Sequence, residues 1–147
     1  LSLVEILCAV GFLAVFTTGL LAIATKGFTL SEGQVDMASA YQYGEEEMER
    51  YALLARDPDG WAEMAAVTTP TFPTKTDAGG TSTNDTRFVY TVTLEELDSD
   101  LRLVTVIIYR AEPGQAAAGT PSIHTSAPRG GELLRFTNLY QQEVNDA

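Results

Sequence analysis

From Ile6 to Thr25 the chain runs for twenty residues without a charge, and Leu1 to Thr25 (LSLVEILCAVGFLAVFTTGLLAIAT) holds a single acid, Glu5. A helix of that length rises about 30 Å, enough to cross the hydrocarbon core of a bilayer. Beyond it the pattern acquires a polar face. Met37, Tyr41, Gly44, Met48, Tyr51 and Ala55 recur at alternating intervals of four and three, while Glu45, Glu46, Glu47 and Glu49 crowd the adjoining faces. No proline precedes Pro58, so Leu1 to about Ala55 reads as one long helix or two in series. Asp57-Pro58-Asp59-Gly60 is turn chemistry and closes it.

The period then shortens. Residues 67–87, rich in Thr, Pro, Gly, Ser, Asn and Asp, predict a long exposed loop. Phe88 to Leu94 alternates Phe88, Tyr90, Val92 and Leu94 on one face; Leu101 to Arg110 is rich in β-branched residues; Leu133 to Tyr140 is a third candidate strand. Residues 95–100 connect the first two as a hairpin, and Glu112 to Gly131 reads as a loop. The pattern therefore predicts an α+β chain. A long N-terminal helix, apolar then amphipathic, packs on a small antiparallel sheet of three to four strands. Its expected organisation is an apolar helix over 1–27 and a globular head over 28–147. The head comprises amphipathic helix 28–56, loop 57–87 and sheet 88–147.

Composition narrows the function. At 147 residues the length suits one domain plus an extended element. The 20 acidic and 9 basic residues leave a net charge of -11, which argues against nucleic acid as a partner. Cys8 is the single cysteine, so an intramolecular disulfide is excluded and no cysteine-based zinc site is expected. Within an apolar helix it reads as a packing residue, with lipidation or redox chemistry as the alternative. Gly11 and Gly19 each cost a helix about 1 kcal/mol relative to alanine. With β-branched Thr17 and Thr18 beside Gly19, they make 11–19 the segment where melting is expected.

Glu5 is costly in lipid and needs a partner or a purpose. Glu95, Glu96, Asp98 and Asp100 offer oxygens to a hard cation such as calcium, but without EF-hand spacing; a solvated hairpin is the simpler reading, and no metal or other cofactor is expected. Asn84-Asp85-Thr86 satisfies the N-x-[ST] sequon. The surrounding hydroxyls, Ser82, Thr83 and Thr86 among them, suit O-glycosylation or an unmodified polar loop equally. His124 reads as a surface loop residue, and Trp61 as satellite core. No nucleophile triad, phosphate loop or metalloprotease signature appears, so enzymatic activity is not expected.

The motif Leu1-Ser2-Leu3-Val4-Glu5-Ile6-Leu7, followed by an apolar run, an amphipathic helix, a loop and an antiparallel sheet, resembles a mature type IV pilin. The strong likeness covers roughly the first 25 residues and a looser topological one covers the chain. It implies a leader removed by a prepilin peptidase, an expectation in keeping with a start that has no basic region before the apolar run. It further implies N-methylation of Leu1, storage in the inner membrane, and polymerisation by the assembly machinery into a fimbrium serving adhesion, motility or DNA uptake. Leu1 and Glu5 would then be assembly residues, the carboxylate of one subunit meeting the terminal amine of its neighbour. Ala22 stands where many members have proline, leaving Gly11, Thr17, Thr18 and Gly19 as the melting segment. A type II secretion pseudopilin or minor pilin is the near alternative. A single-span membrane protein with a soluble binding domain is the distant one.

Overall fold

A computed structural model of the chain describes residues 3–114, 121–125 and 128–142. Helix α1 runs unbroken from Leu3 to Arg56, so one helix, not two in series, is formed. Two compact units are present, residues 1–38 and 39–147.

In the first unit the helix is apolar around its circumference from Ile6 to Thr25. Its hydroxyls are turned inward on the backbone: Thr17 Oγ1 donates to Leu13 O at 2.6 Å and Thr18 Oγ1 to Ala14 O at 2.9 Å. Thr25 and Thr29 do the same about two and three turns on. These bonds satisfy polar groups without outside partners, which a helix in lipid requires.

In the second unit the end of α1 packs on a sheet. Strands β1 (Val67–Thr71), β4 (Phe88–Asp98), β5 (Leu101–Arg110) and β6 (Glu132–Gln141) form one four-stranded sheet in the order β1-β4-β5-β6, and every neighbouring pair is antiparallel. Strands β2 (Thr74–Thr76) and β3 (Ser82–Asn84) form a separate hairpin. The α+β class and the helix-on-sheet packing thus follow the hydrophobic pattern. Alternation along β4 and β5 sends Phe88, Tyr90, Val92, Val104, Val106 and Ile108 toward Ala40, Tyr43, Tyr51 and Ala55 of α1. Val89 faces the other way, into a smaller cluster with Phe72 and Ala111.

Several expectations are corrected. Residues 57–87 are not one loop. Asp57 accepts a hydrogen bond from Asp59 N and caps a second helix, α2 (Pro58–Glu63), so the turn residues after α1 start an element as well as ending one. The β-branched Val67, Thr68, Thr69 and Thr71 form β1, an edge strand that tolerates Pro70. Asp77 Oδ1 accepts from Gly79 N and Thr81 N, and Gly80 takes φ +79°, closing the β2–β3 hairpin. Strand β4 runs on to Asp98, leaving Ser99 and Asp100 as the turn instead of all of residues 95–100.

The buried face of α1 also differs from the sequence reading. Gly44, Tyr51 and Ala55 are buried as expected, and Met48 is half-buried, but Ala40 and Tyr43 take the inner positions. Met37 and Tyr41 are 44% and 50% exposed. The Tyr41 ring lies at the rim against Phe136, centroids 5.5 Å apart. Trp61 belongs to the main core, not a satellite.

Candidate assembly surface and its supporting head

The apolar segment of α1 is uncovered. None of its most apolar stretch is buried. Leu3, Leu7, Phe12, Phe16, Leu20, Ile23 and Phe28 are all exposed, Phe12 by 79%. By length and composition the helix suits insertion in a membrane. A helix that is apolar on all sides is one that something else surrounds.

Glu5 sits in the first turn of this helix, exposed and with no hydrogen-bond or ion-pair partner among the described residues. Leu1, its expected partner in a neighbouring subunit, lies outside the described residues. Cys8 is exposed. The segment 11–19 is helical in the chain, and a Cβ at Gly11, Gly19, Gly27 or Gly33 would meet nothing within 4 Å. Among the described residues no contact therefore demands glycine at these four positions. Nor do Gly11, Gly19 and Gly27 make a stripe. Their spacing of eight turns each about 80° past the last at 3.6 residues per turn. They act as points of low helix propensity, each costing about 1 kcal/mol relative to alanine.

The head presents its candidate modification residues on the surface. Ser82, Thr83 and Asn84 lie on β3 and are exposed, as is Thr86 just after it. Ser82 Oγ and Thr76 Oγ1 share a hydrogen bond of 3.1 Å across the hairpin. Asp85, the middle residue of the sequon, points inward. Its Oδ2 accepts from Tyr43 OH at 2.8 Å and from Arg87 Nη2 at 2.6 Å, and its Oδ1 accepts from Arg87 Nε at 3.0 Å. Burial alone would raise the Asp85 pKa, but the bonds from Arg87 and Tyr43 outweigh it and hold the carboxyl below the usual value. Burial, with Asp85 as acceptor, pushes Tyr43 up to about 12. This cluster ties α1 to the segment between β3 and β4, and the sequence held no local sign of it.

A second tie was equally hidden. The Arg102 guanidinium lies 4.6 Å from the Trp61 ring centroid, donates to the Trp61 carbonyl, and pairs with Glu96 Oε1 at 2.7 Å. It fastens α2 to the sheet. Glu96 is thereby engaged, and β4 alternation puts Glu95 on the opposite face from it. Asp98 accepts from Ser99 N, and Asp100 from Gln141 Nε2 at 3.4 Å. Among the described residues no three His, Cys, Asp or Glu side chains converge as metal ligands. His124 is not a free surface residue: its Nδ1 lies 3.0 Å from Glu112 Oε2.

Comparison with models of protein families, with curated proteins and with solved structures finds no match.

Proposed function

We propose that the chain is a structural, non-enzymatic subunit of a bacterial type IV pilus-like filament, held in the inner membrane by α1 before assembly and displayed outside the cell after it. The observation that carries this reading is the uncharged, all-round apolar helix from Ile6 to Thr25, exposed along its length and preceded by one acid that has no partner among the described residues. Each large side chain on it gains about 1.5–3 kcal/mol on burial, so the segment is covered in whatever state the protein occupies. Lipid does this before assembly and sister helices do it afterwards. A homo-polymer built by repeating one heterologous contact extends as an open helix.

Glu5 supplies the register. In the dry interior of a bundle its charge needs a cation, and the family pattern provides the amine of Leu1 from the neighbouring copy. Low helix propensity at Gly11, Thr17, Thr18 and Gly19 lets that stretch melt once protein replaces lipid around it. Modification fits the head: N-methylation at Leu1 comes from the family pattern, and glycans at Ser82, Thr83, Asn84 or Thr86 would point to solvent. Processing by a prepilin peptidase, and roles in adhesion, motility or DNA uptake, rest on the resemblance.

Glu5→Ala tests the reading. Cells carrying the variant should yield few filaments in electron micrographs of sheared surface material, with subunit retained in the membrane. Abundant filaments of normal form from Glu5→Ala would refute the assembly mechanism. The fitness of α1 as a membrane span favours one rival, a single-span protein with a soluble binding head. Wild-type protein found only as detergent-extracted monomer would favour that rival.

A further inference from the structure

Strand β6 is the last strand of its sheet, and its outer edge pairs with no other strand among the described residues. Which backbone groups it offers follows from the ladder. Gln142 N donates to Asp100 O at 2.9 Å, and the register pairs Tyr140 with Arg102, Asn138 with Val104 and Phe136 with Val106. Even-numbered residues of this stretch therefore direct N–H and C=O toward β5, while Arg135, Thr137, Leu139 and Gln141 direct theirs outward. Leu139 agrees: its N–H is bonded to the side-chain oxygen of its own neighbour, Asn138, at 3.0 Å.

Beside this edge runs a groove of about 530 Å³ between β6 and α1, lined by Tyr41, Glu45, Met48, Glu49, Phe136 and Asn138 together with Thr137. It opens alongside the edge where a fifth strand would pair. Its floor is apolar, from the Met48, Phe136 and Tyr41 side chains, and its helix wall carries two exposed carboxylates, Glu45 and Glu49, with no basic residue in the lining. An edge of ten residues without proline is a template for strand addition.

We propose that the β6 edge and this groove form a β-augmentation site for an extended segment of a partner protein that carries apolar and basic residues together on one face, at every second position. Apolar side chains on the groove side would meet Met48 and Phe136, and flanking Lys or Arg would meet Glu45 and Glu49. The acids also select against a second copy of this chain. Two β6 edges brought together would oppose the same carboxylates, and each chain already carries a net charge of -11. This site lies in the head and stands independently of the filament reading.

The test uses the full chain in a neutral detergent with two capped nine-residue peptides, Ser-Lys-Ser-Val-Ser-Val-Ser-Lys-Ser, which puts Val and Lys on one face, and the same peptide with Glu in place of Lys. The lysine peptide should bind and the glutamate peptide should not. Thr137→Pro leaves the charge unchanged but removes an outward N–H, so it should abolish binding while Trp61 fluorescence remains native. Equal binding by a natively folded Thr137→Pro would overturn the proposal as mere charge attraction, and so would failure of the lysine peptide to bind the wild type. Glu45→Lys/Glu49→Lys should weaken the lysine peptide by roughly tenfold or more and admit the glutamate peptide. Hydrogen exchange decides the matter without any variant. The Thr137 and Gln141 amides should slow on saturation with the lysine peptide, and unchanged exchange there would refute strand pairing.

Discussion

At Gly44 a side chain of the sheet, Phe136, lies directly against the helix backbone. A Cβ added there would sit 2.0, 2.5 and 2.6 Å from Cε2, Cδ2 and Cζ of Phe136, against ordinary contacts of 3.4 Å or more. The ring must therefore move by more than an ångström or the helix must lift. Overpacking costs about 1–3 kcal/mol, and an approach of 2.0 Å to an aromatic ring belongs in the upper part of that range, about 2–3 kcal/mol. Alanine returns about 1 kcal/mol through its better helix propensity. Gly44→Ala should thus destabilise the head by about 1–2 kcal/mol, the propensity gain only partly offsetting the clash. Trp61, the single tryptophan and a buried core residue, reports unfolding by its fluorescence in a urea titration of the full chain in detergent. The partner can be removed as well. In a Phe136→Ala background the obstruction is gone, and Gly44→Ala should become stabilising by about 1 kcal/mol. The cycle should therefore give a coupling of about 2–3 kcal/mol. Gly44→Ala as stable as wild type, or with the same effect in both backgrounds, would refute the close packing of Phe136 beneath Gly44.

Other consequences of the geometry are as accessible. Arg102→Ala removes the cover of Trp61, the hydrogen bond to its carbonyl and the partner of Glu96, and should cost about 1–3 kcal/mol with a shift in Trp61 emission. Lys at the same position should restore little of it, since a point charge does not reproduce the stacked fork. Asp85 titrates below its ordinary value when folded, so its contribution is present above the unfolded pKa of 3.8 and is lost as pH falls through and below it. Asp85→Asn should flatten the acid side of the stability curve measured by urea midpoints between neutral and acid pH. Tyr43 shows the opposite sign. Its folded pKa of about 12 exceeds the unfolded 10.0, so stability is held below 10.0 and drains as pH rises toward about 12. An ultraviolet titration of wild type against Tyr43→Phe should assign the late-ionising phenol, and loss of a phenol titrating near 10 instead would contradict the buried pair with Asp85.

Periodic local signals were enough to identify the apolar helix, its amphipathic continuation and three of the four strands of the main sheet. Each of these depends on side-chain spacing along a single element, and spacing is written directly in the chain. Loop-like composition hid the fourth strand. The Thr and Val residues of β1 favour an extended backbone, but Pro70 and the flanking Gly- and Asp-rich residues masked the signal; pairing with β4 overrode them. Aspartate-proline-aspartate-glycine likewise reads equally as a stop or as a cap. Only the docking of Trp61 into the core made it the start of α2.

The candidate assembly surface was legible because solvent aversion is a property of composition. Twenty uncharged residues with one acid ahead of them imply burial elsewhere whatever the rest of the chain does. The inner face of α1 was not so legible, since both Tyr41 and Tyr43 fit a helical stripe. Tertiary structure chose Tyr43, whose hydroxyl finds Asp85, and left Tyr41 at the rim against Phe136. The same holds for Arg102 on Trp61 and for His124 with Glu112. Each joins residues far apart in the chain, and their meeting is set by strand register and helix placement, which no single segment encodes. The sequence by itself determined which surfaces must be covered. The fold decided which residues meet, and which strand edge is unpaired among the described residues.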